Sequence, residues 1–185
     1  MKKVCIIFLL SIIISLTAVG CQTVQKDGGM YALNGINTQY LRMHIRADSN
    51  ETADQKVKYA VRDALVEYLT PIVAECPTRN EALQAVNANV FNLQTLANGV
   101  LQSSGFAYTA NVKLCIEQFP TRTYGEYTLP AGEYTALIVE LGRAGGDNWW
   151  CVIYPPLCFV GEPTSGNNIV YKSKILEIIQ RFQSK

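Results

Sequence analysis

The hydrophobic period of this sequence changes halfway along, and that change limits the folds open to it. Between residues 52 and 105, apolar side chains recur every three or four positions, as on one face of an α-helix. From Tyr108 onward they recur at every second position, as in a strand with one buried face. The chain therefore groups its helices and its strands instead of alternating them, which argues against a parallel α/β fold.

Two helices are predicted in the first half. Thr52 or Asp54 caps the first one, and Pro71 either ends it or opens a second short turn. The second is one long helix that follows the capping-box sequence Thr78–Glu81 and stops at Gly105. A further amphipathic helix is predicted near the C-terminus, over Val170–Phe182.

Four strands are predicted, at Leu41–Ala47, Tyr108–Ile116, Thr135–Leu141 and Trp149–Tyr154. The turn sequence Gly145–Asn148 between the last two strands is typical of an antiparallel hairpin. We therefore expect an α+β domain, with an antiparallel sheet of about four strands and helices packed on one face.

The first 21 residues have the layout of an export segment. Lys2 and Lys3 precede an uncharged stretch from Val4 to Val19, and small residues lead to Cys21. This segment can be a cleaved signal peptide, a retained membrane anchor, or a lipoprotein signal with an acylated Cys21. All three interpretations export the rest, which divides into a flexible tether over residues 22–40 and a single domain over residues 41–185.

The charge balance argues against binding to nucleic acid. The chain has 16 basic and 15 acidic residues, and loss of residues 1–20 removes two lysines, leaving 14 basic residues and a net charge of −1. Phosphate binding needs a concentrated positive surface, and no basic run supplies one. Lys56, Lys58 and Arg62 share a predicted helix with acidic residues, so we interpret them as part of a solvated face.

Four cysteines lie in the predicted domain: Cys76, Cys115, Cys151 and Cys158. An even number outside the cytoplasm favours disulfides, and four cysteines allow three pairings. The sequence has no CxxC pair and a single histidine, so it does not match the usual zinc patterns. We expect neither a metal nor a cofactor.

His44 is the only histidine, so any imidazole acid–base chemistry must use it. Alternation places it with Arg42 and Arg46 on the face opposite Met43 and Ile45. One interpretation pairs His44 with a carboxylate of the following segment, from Asp48, Glu51 or Asp54, facing a ligand. The other treats it as a strand histidine that is hydrogen-bonded to the loop it precedes.

A hydrolase with a Cys–His pair is the best enzymatic alternative. Cys151 or Cys158 would be its nucleophile beside His44. A reactive thiolate needs a reduced, partly exposed setting, whereas cysteines outside the cytoplasm are more often paired. No nucleophile elbow, phosphate loop or dinucleotide motif is present.

The most distinctive stretch is Asn148–Phe159, with two adjacent tryptophans. Because neighbouring strand residues point to opposite faces, Trp149 and Trp150 must separate, one toward the core and the other toward the surface or under a loop. Core packing explains most of this pattern. The alternative is a surface anchor for a partner, to which Arg122 and Tyr124 of the loop Phe119–Gly125 would contribute.

These segments together resemble the stage II sporulation protein R family. The matching stretches, in colinear order, are Leu41–Asn50, Asp54–Lys58, Val61–Ala64, Phe119–Pro120, Tyr124–Gly125, Leu129–Leu137, Asn148–Cys151 and Pro155–Cys158. Together they fall within residues 41–160. Cys21 in a lipobox-like setting departs from the family pattern, and the chain after Gly161 lies beyond the resemblance.

The resemblance implies a signalling role that no spacing or composition shows. Members of this family are exported from the forespore into the space between the septal membranes. There they trigger a membrane-embedded aspartic protease of the mother cell, which removes the pro-sequence of sigma-E. The resemblance therefore carries over no catalytic residue.

Combining the resemblance with the surface interpretation gives a set of candidate partner-binding residues: Arg42, His44, Arg122, Tyr124, Trp149 and Trp150. The expected location is extracytoplasmic and membrane-associated through the N-terminus, or secreted. The rival to signalling is an extracytoplasmic lipoprotein that binds a cell-wall or small-molecule ligand, and the Cys–His hydrolase is less favoured.

Overall fold

The computed structural model describes residues 22–23, 36–124, 127–157, 176, 178–180 and 184. The predicted export segment with Cys21, and the candidate disulfide residue Cys158, lie outside these residues. Of the predicted C-terminal helix, Leu176 and Ile178–Gln180 are described and helical, and the remainder of Val170–Phe182 is outside.

Three helices follow the first long strand: α1 (Thr52–Ala74), α2 (Arg79–Ala88) and α3 (Val90–Ser103). The Thr78 hydroxyl accepts a bond from the Glu81 N–H, so the predicted N-cap of α2 is confirmed. The long second helix is instead two helices, because the chain breaks at Asn89, whose side-chain amide bonds back to the Ala85 carbonyl. Within the described part of the chain, no helix is both long and apolar enough to cross a bilayer.

The prediction that α1 ends at Pro71 is wrong. The helix runs through Pro71 to Ala74, and Val73 is completely buried in the last turn. A proline inside a helix removes one backbone hydrogen bond. Burial of Val73 offsets that loss, because a fully buried valine side chain contributes roughly 1.5–3 kcal/mol.

The strands are β1 (Gln22–Thr23), β2 (Ile36–Arg46), β3 (Ala110–Phe119), β4 (Arg122–Tyr124), β5 (Tyr127–Leu129), β6 (Gly132–Leu141) and β7 (Asn148–Tyr154). The four long strands β2, β3, β6 and β7 form one sheet, with β1 beside β3 at its edge. Strands β4 and β5 form a separate small hairpin. Strand β2 begins at Ile36, five residues before the predicted start of the domain.

The sheet order is β1-β3-β6-β2-β7, and the sheet is mixed. Strand β2 pairs in parallel with β6, so the expected purely antiparallel sheet is wrong, while the α+β class is confirmed. The predicted β6–β7 hairpin is also wrong, because β2 lies between these strands and pairs with both. Residues 47–131 separate β2 from β6 and contain three helices, which is ample for a parallel crossover connection.

The two faces of the sheet bury different clusters. The helices cover one face, where Met43, Ile45 and Leu137 pack against α1 side chains such as Val61 and Leu65, as expected for helices on one side. On the other face, a second cluster lies beneath the β4–β5 hairpin and contains Cys115, Phe119, Leu129, Tyr134, Ala136, Ile138 and Val152. This second face carries most of the candidate residues.

The loop after β2 is hydrogen-bonded to the turn before β7. An Asp48 carboxylate oxygen accepts the backbone N–H of Arg143 at 2.6 Å, and the Gly146 N–H donates to the Ala47 carbonyl at 2.9 Å. The Asn50 side chain accepts the Asp147 N–H at 2.6 Å. We call these hydrogen bonds between residues 47–50 and residues 143–147 the clasp, and they fix the position of the start of β7.

Candidate partner-binding site

Arg42 is completely buried between aromatic rings on the hairpin-covered face. Its guanidinium carbon lies 4.2 Å from the ring centre of Phe119 and 4.9 Å from that of Tyr134. Its Nη2 donates to the Tyr124 hydroxyl at 2.5 Å, while a long contact of 3.5 Å joins Nε to the Cys151 carbonyl. Burial lowers the pKa of the guanidinium, and the nearby Tyr124 opposes that shift.

No carboxylate among the described residues forms an ion pair with Arg42, and its Nη1 has no hydrogen-bond partner. The rings that surround it supply cation–π attraction in place of a counter-charge. The bond to Tyr124 ties strand β4 to the sheet beneath it. Arg42 therefore anchors the β4–β5 hairpin from inside, and its side chain does not reach the surface.

His44 is also buried, with 1% of its surface exposed. Its Nδ1 lies 3.2 Å from the Glu117 carboxylate and its Nε2 lies 2.9 Å from the Asn148 side-chain oxygen. The imidazole stacks on the Trp150 indole, with ring centroids 3.6 Å apart. The predicted face is confirmed, but the expected partners in the segment after β2 are wrong. Asp48 pairs with Arg143 instead. The partners of His44 come from β3 and β7.

The Cys–His pair of the hydrolase alternative is absent for Cys151. His44 faces the hairpin side, whereas Cys151 pairs in register with Met43, whose side chain lies in the helix-side core. Neighbouring paired residues point to the same face of a sheet, so Cys151 and His44 lie on opposite faces. Cys151 is moreover not a free thiol. Cys158, the other proposed nucleophile, lies outside the described residues.

Cys76 is a free, buried thiol whose Sγ lies 3.2 Å from the Ile72 carbonyl, so its predicted disulfide is wrong. Cys115 and Cys151 are not free thiols. They do not bond to each other, because β6 and β2 separate their strands. That spacing is about 14 Å, beyond the reach of a disulfide. The pairing of these cysteines stays a prediction.

A surface pocket lies between α1, the start of β4 and the start of β7, with a volume of ≈ 530 Å³. We call it the Lys58–Arg122 pocket; it is lined by Gln55, Lys58, Tyr59, Pro120, Arg122, Asp147, Asn148 and Trp150. The Arg122 guanidinium lies 5.7 Å from the ring centre of Trp150. Among the described candidate residues, Arg122 and Trp150 are thus brought together at one concave surface.

Trp149 points to the other face of β7, as predicted for adjacent tryptophans. It packs at the margin of the helix-side core, while Trp150 packs against the second cluster. Arg62 of α1 lies over Trp149 at 5.6 Å and over the exposed ring of Tyr59 at 4.8 Å. An aromatic and basic surface therefore continues from the pocket along α1.

Lys58 is the cation of the pocket that the sequence interpretation missed. Placing it on a solvated face is wrong, because it is 1% exposed. Its ammonium donates to the Gln55 side-chain oxygen at 2.6 Å and to the Asp147 carbonyl at 3.0 Å. The position of Lys58 in the helix is what could have indicated its burial. It lies three residues before buried Val61 and four after buried Asp54, on the face of α1 that packs inward.

Comparison with known proteins identifies the family. The family model described as stage II sporulation protein R matches residues 37–163, which is more than half of the chain. The chain belongs to the stage II sporulation protein R family. A relative named stage II sporulation protein R, from Bacillus subtilis (strain 168), is 33% identical over 139 residues. No solved structure matches the chain.

Membership in the stage II sporulation protein R family supports a role in sporulation. The relative's name is that of a sporulation protein and not of an enzyme. The alignment covers 75% of this chain and 61% of the relative, so it spans less than two thirds of the relative's length. The matched region contains the clasp, the buried Arg42 and His44, and every residue of the Lys58–Arg122 pocket.

Proposed function

We propose that this protein is an exported signal that activates a membrane-embedded aspartic protease across the sporulation septum, leading to removal of the pro-sequence of sigma-E. The observation that carries the proposal is the family match over residues 37–163. The protein acts as a ligand of the protease and contributes no catalytic group of its own.

Activation by a ligand requires that the ligand bind the active arrangement of the protease more tightly than the inactive one. The surface that suits such binding is the Lys58–Arg122 pocket, whose lining residue Tyr59 is 43% exposed. Aromatic and arginine side chains are enriched at the centres of protein interfaces. Arg122 and Trp150 are therefore the residues we assign to partner contact, whereas Tyr124 and Trp149 do not line the pocket.

Export places this surface on the same side of the membrane as the exposed segments of the protease. Residues 1–21 direct export in each of their three interpretations, and acylation of Cys21 would keep the domain at the membrane. Confinement in a narrow intermembrane space raises the effective concentration of the ligand. Disulfide bonds at Cys115 and Cys151 suit that oxidising location.

Reconstitution in a non-sporulating bacterium tests the proposal. The chain, the protease and the pro-sigma substrate are produced together and in each pairwise combination, and cleavage is followed by immunoblot. We expect processed substrate only when all three are present. A control chain without residues 1–20 tests whether export is needed. Unprocessed substrate in the presence of exported, folded chain would contradict the proposal.

A further inference from the structure

We infer that the Lys58–Arg122 pocket receives an acidic side chain, aspartate or glutamate, from an exposed segment of the protein partner. The inference rests on the proposed function and adds the chemistry of the contact. Two cations, Lys58 and Arg122, line one concave surface. Neither forms a salt bridge with a carboxylate among the described residues.

Lys58 forms the floor of this arrangement. An ammonium has three N–H donors, and Lys58 directs two of them to neutral oxygens, those of the Gln55 side chain and the Asp147 backbone. The Tyr59 ring lies 4.9 Å away and adds cation–π attraction. A buried charge is unfavourable without an opposite charge. An incoming carboxylate would supply that charge and accept the third N–H.

Arg122 forms the rim. It is exposed, and its guanidinium is held over the indole of Trp150. A guanidinium on an aromatic face keeps its N–H edge free to bind a carboxylate in a bidentate manner. Within the described lining, Asp147 is the acidic residue that opposes the two cations. The pocket therefore has a net positive charge in a domain whose total charge is close to zero.

Shape favours a side chain of a protein segment over an extended polyanion. The volume of ≈ 530 Å³ admits a glutamate with its neighbouring residues. Trp150, Tyr59 and Pro120 supply apolar walls for the rest of such a segment. Nucleic acid would need a continuing row of cations, whereas Arg62 beyond the pocket is paired with Asp63.

The test uses the full-length chain in the three-component host. Arg122→Glu reverses the charge at the edge of the pocket. Lys58→Met removes the positive charge inside the pocket and keeps an unbranched apolar side chain. Lys56→Glu is the matched control, because Lys56 is exposed on the same helix and does not line the pocket. Binding is read separately, by co-purification of the protease with the chain.

We expect Arg122→Glu to lower both binding and processing by roughly tenfold or more, and Lys56→Glu to leave both unchanged. Tryptophan fluorescence and urea unfolding check that each variant folds. Because the Arg122 side chain is exposed, Arg122→Glu still tests the inference if Lys58→Met is unstable. Each acidic residue in the exposed segments of the protease is then changed singly to lysine. One such change should restore processing with Arg122→Glu.

Wild-type binding by a folded Arg122→Glu chain would overturn the inference, as would loss that no single lysine substitution restores. Failure of the wild-type chain to promote processing is a different result, because it contradicts the proposed function before the pocket is tested.

Discussion

The imidazole of His44 lies flat against the indole of Trp150, with the ring centroids 3.6 Å apart and the planes inclined by 17°. The two residues are directly paired across β2 and β7, so the sheet register itself produces the stack. Trp150 in turn supports Arg122 at the rim of the pocket. A buried histidine thus positions a surface residue without touching the surface.

Replacement of His44 by alanine should lower the free energy of unfolding by about 2–4 kcal/mol, because it removes the stack and the contacts to Glu117 and Asn148. Urea unfolding followed by tryptophan fluorescence measures this. Gln39→Ala, on an exposed position of the same strand, should change stability by less than about 0.5 kcal/mol. Equal stabilities for the two variants would contradict a structural role for His44.

Arg42 and Tyr124 should be energetically coupled. Arg42→Met leaves the Tyr124 hydroxyl without its donor, and Tyr124→Phe leaves a second nitrogen of Arg42 without an acceptor. The double variant should therefore lose less stability than the two single variants together, by about 1 kcal/mol or more. A double-mutant cycle in urea measures this coupling. Additive losses would show that the contact does not anchor the hairpin.

Two glycine-to-alanine changes should have opposite effects. At Gly146, an added Cβ would collide with the backbone carbonyl of Ser49, so Gly146→Ala should destabilise the fold by roughly 1–3 kcal/mol. At Gly99, inside α3, an added Cβ meets nothing, so Gly99→Ala should stabilise it by about 0.5–1 kcal/mol. Thermal unfolding distinguishes them, and a harmless Gly146→Ala would argue against the clasp.

Acid should weaken the same clasp through Asp48. Its bonds from the Arg143 side chain and backbone hold the pKa of the carboxyl below its ordinary value. A depressed folded pKa gives stability that is present above about pH 4, the unfolded value, and is lost as the pH falls through the folded value. Asp48→Asn should therefore show a shallower loss of stability between pH 6 and pH 3. Identical pH profiles for the two proteins would contradict this assignment.

The Cys76 thiol should resist alkylation until the protein unfolds. Burial raises its pKa, which lowers the fraction of reactive thiolate. Mass spectrometry after treatment with iodoacetamide, with and without urea and without reductant, measures the protection. Modification of native protein as fast as that of unfolded protein would place Cys76 at the surface.

Hydrophobic periodicity predicted the local elements well and their arrangement less well. The alternation in β2, β3 and β6 showed which residues face the helices, because successive strand residues point to opposite faces. It did not show that the other face of β6 is buried as well. It did not show that β2 inserts between β6 and β7, since the neighbours of a strand depend on contacts distant in sequence. A glycine-rich turn such as residues 145–148 marks a reversal and not the pairing of the strands that flank it.

The candidate site was predictable only in part for a related reason. Trp150 and Arg122 stood out by residue type, but Lys58 did not, because a lysine in a charged helical run ordinarily faces solvent. Arg42 and His44 were correctly placed on one face, yet both are buried: Arg42 contacts Tyr124 of β4, and His44 contacts Trp150 of β7. Such contacts join segments that are distant in sequence, so hydrophobic periodicity does not predict them.

The most direct measurement is made in the sporulating organism that encodes this chain. The gene is deleted, and pro-sigma-E and the protease are both followed by immunoblot through septation. We expect uncleaved pro-sigma-E with the protease at its normal level, and restored cleavage when the gene is returned. Cleavage at the normal rate in the deletion strain would contradict the proposed role of this protein as the activating signal.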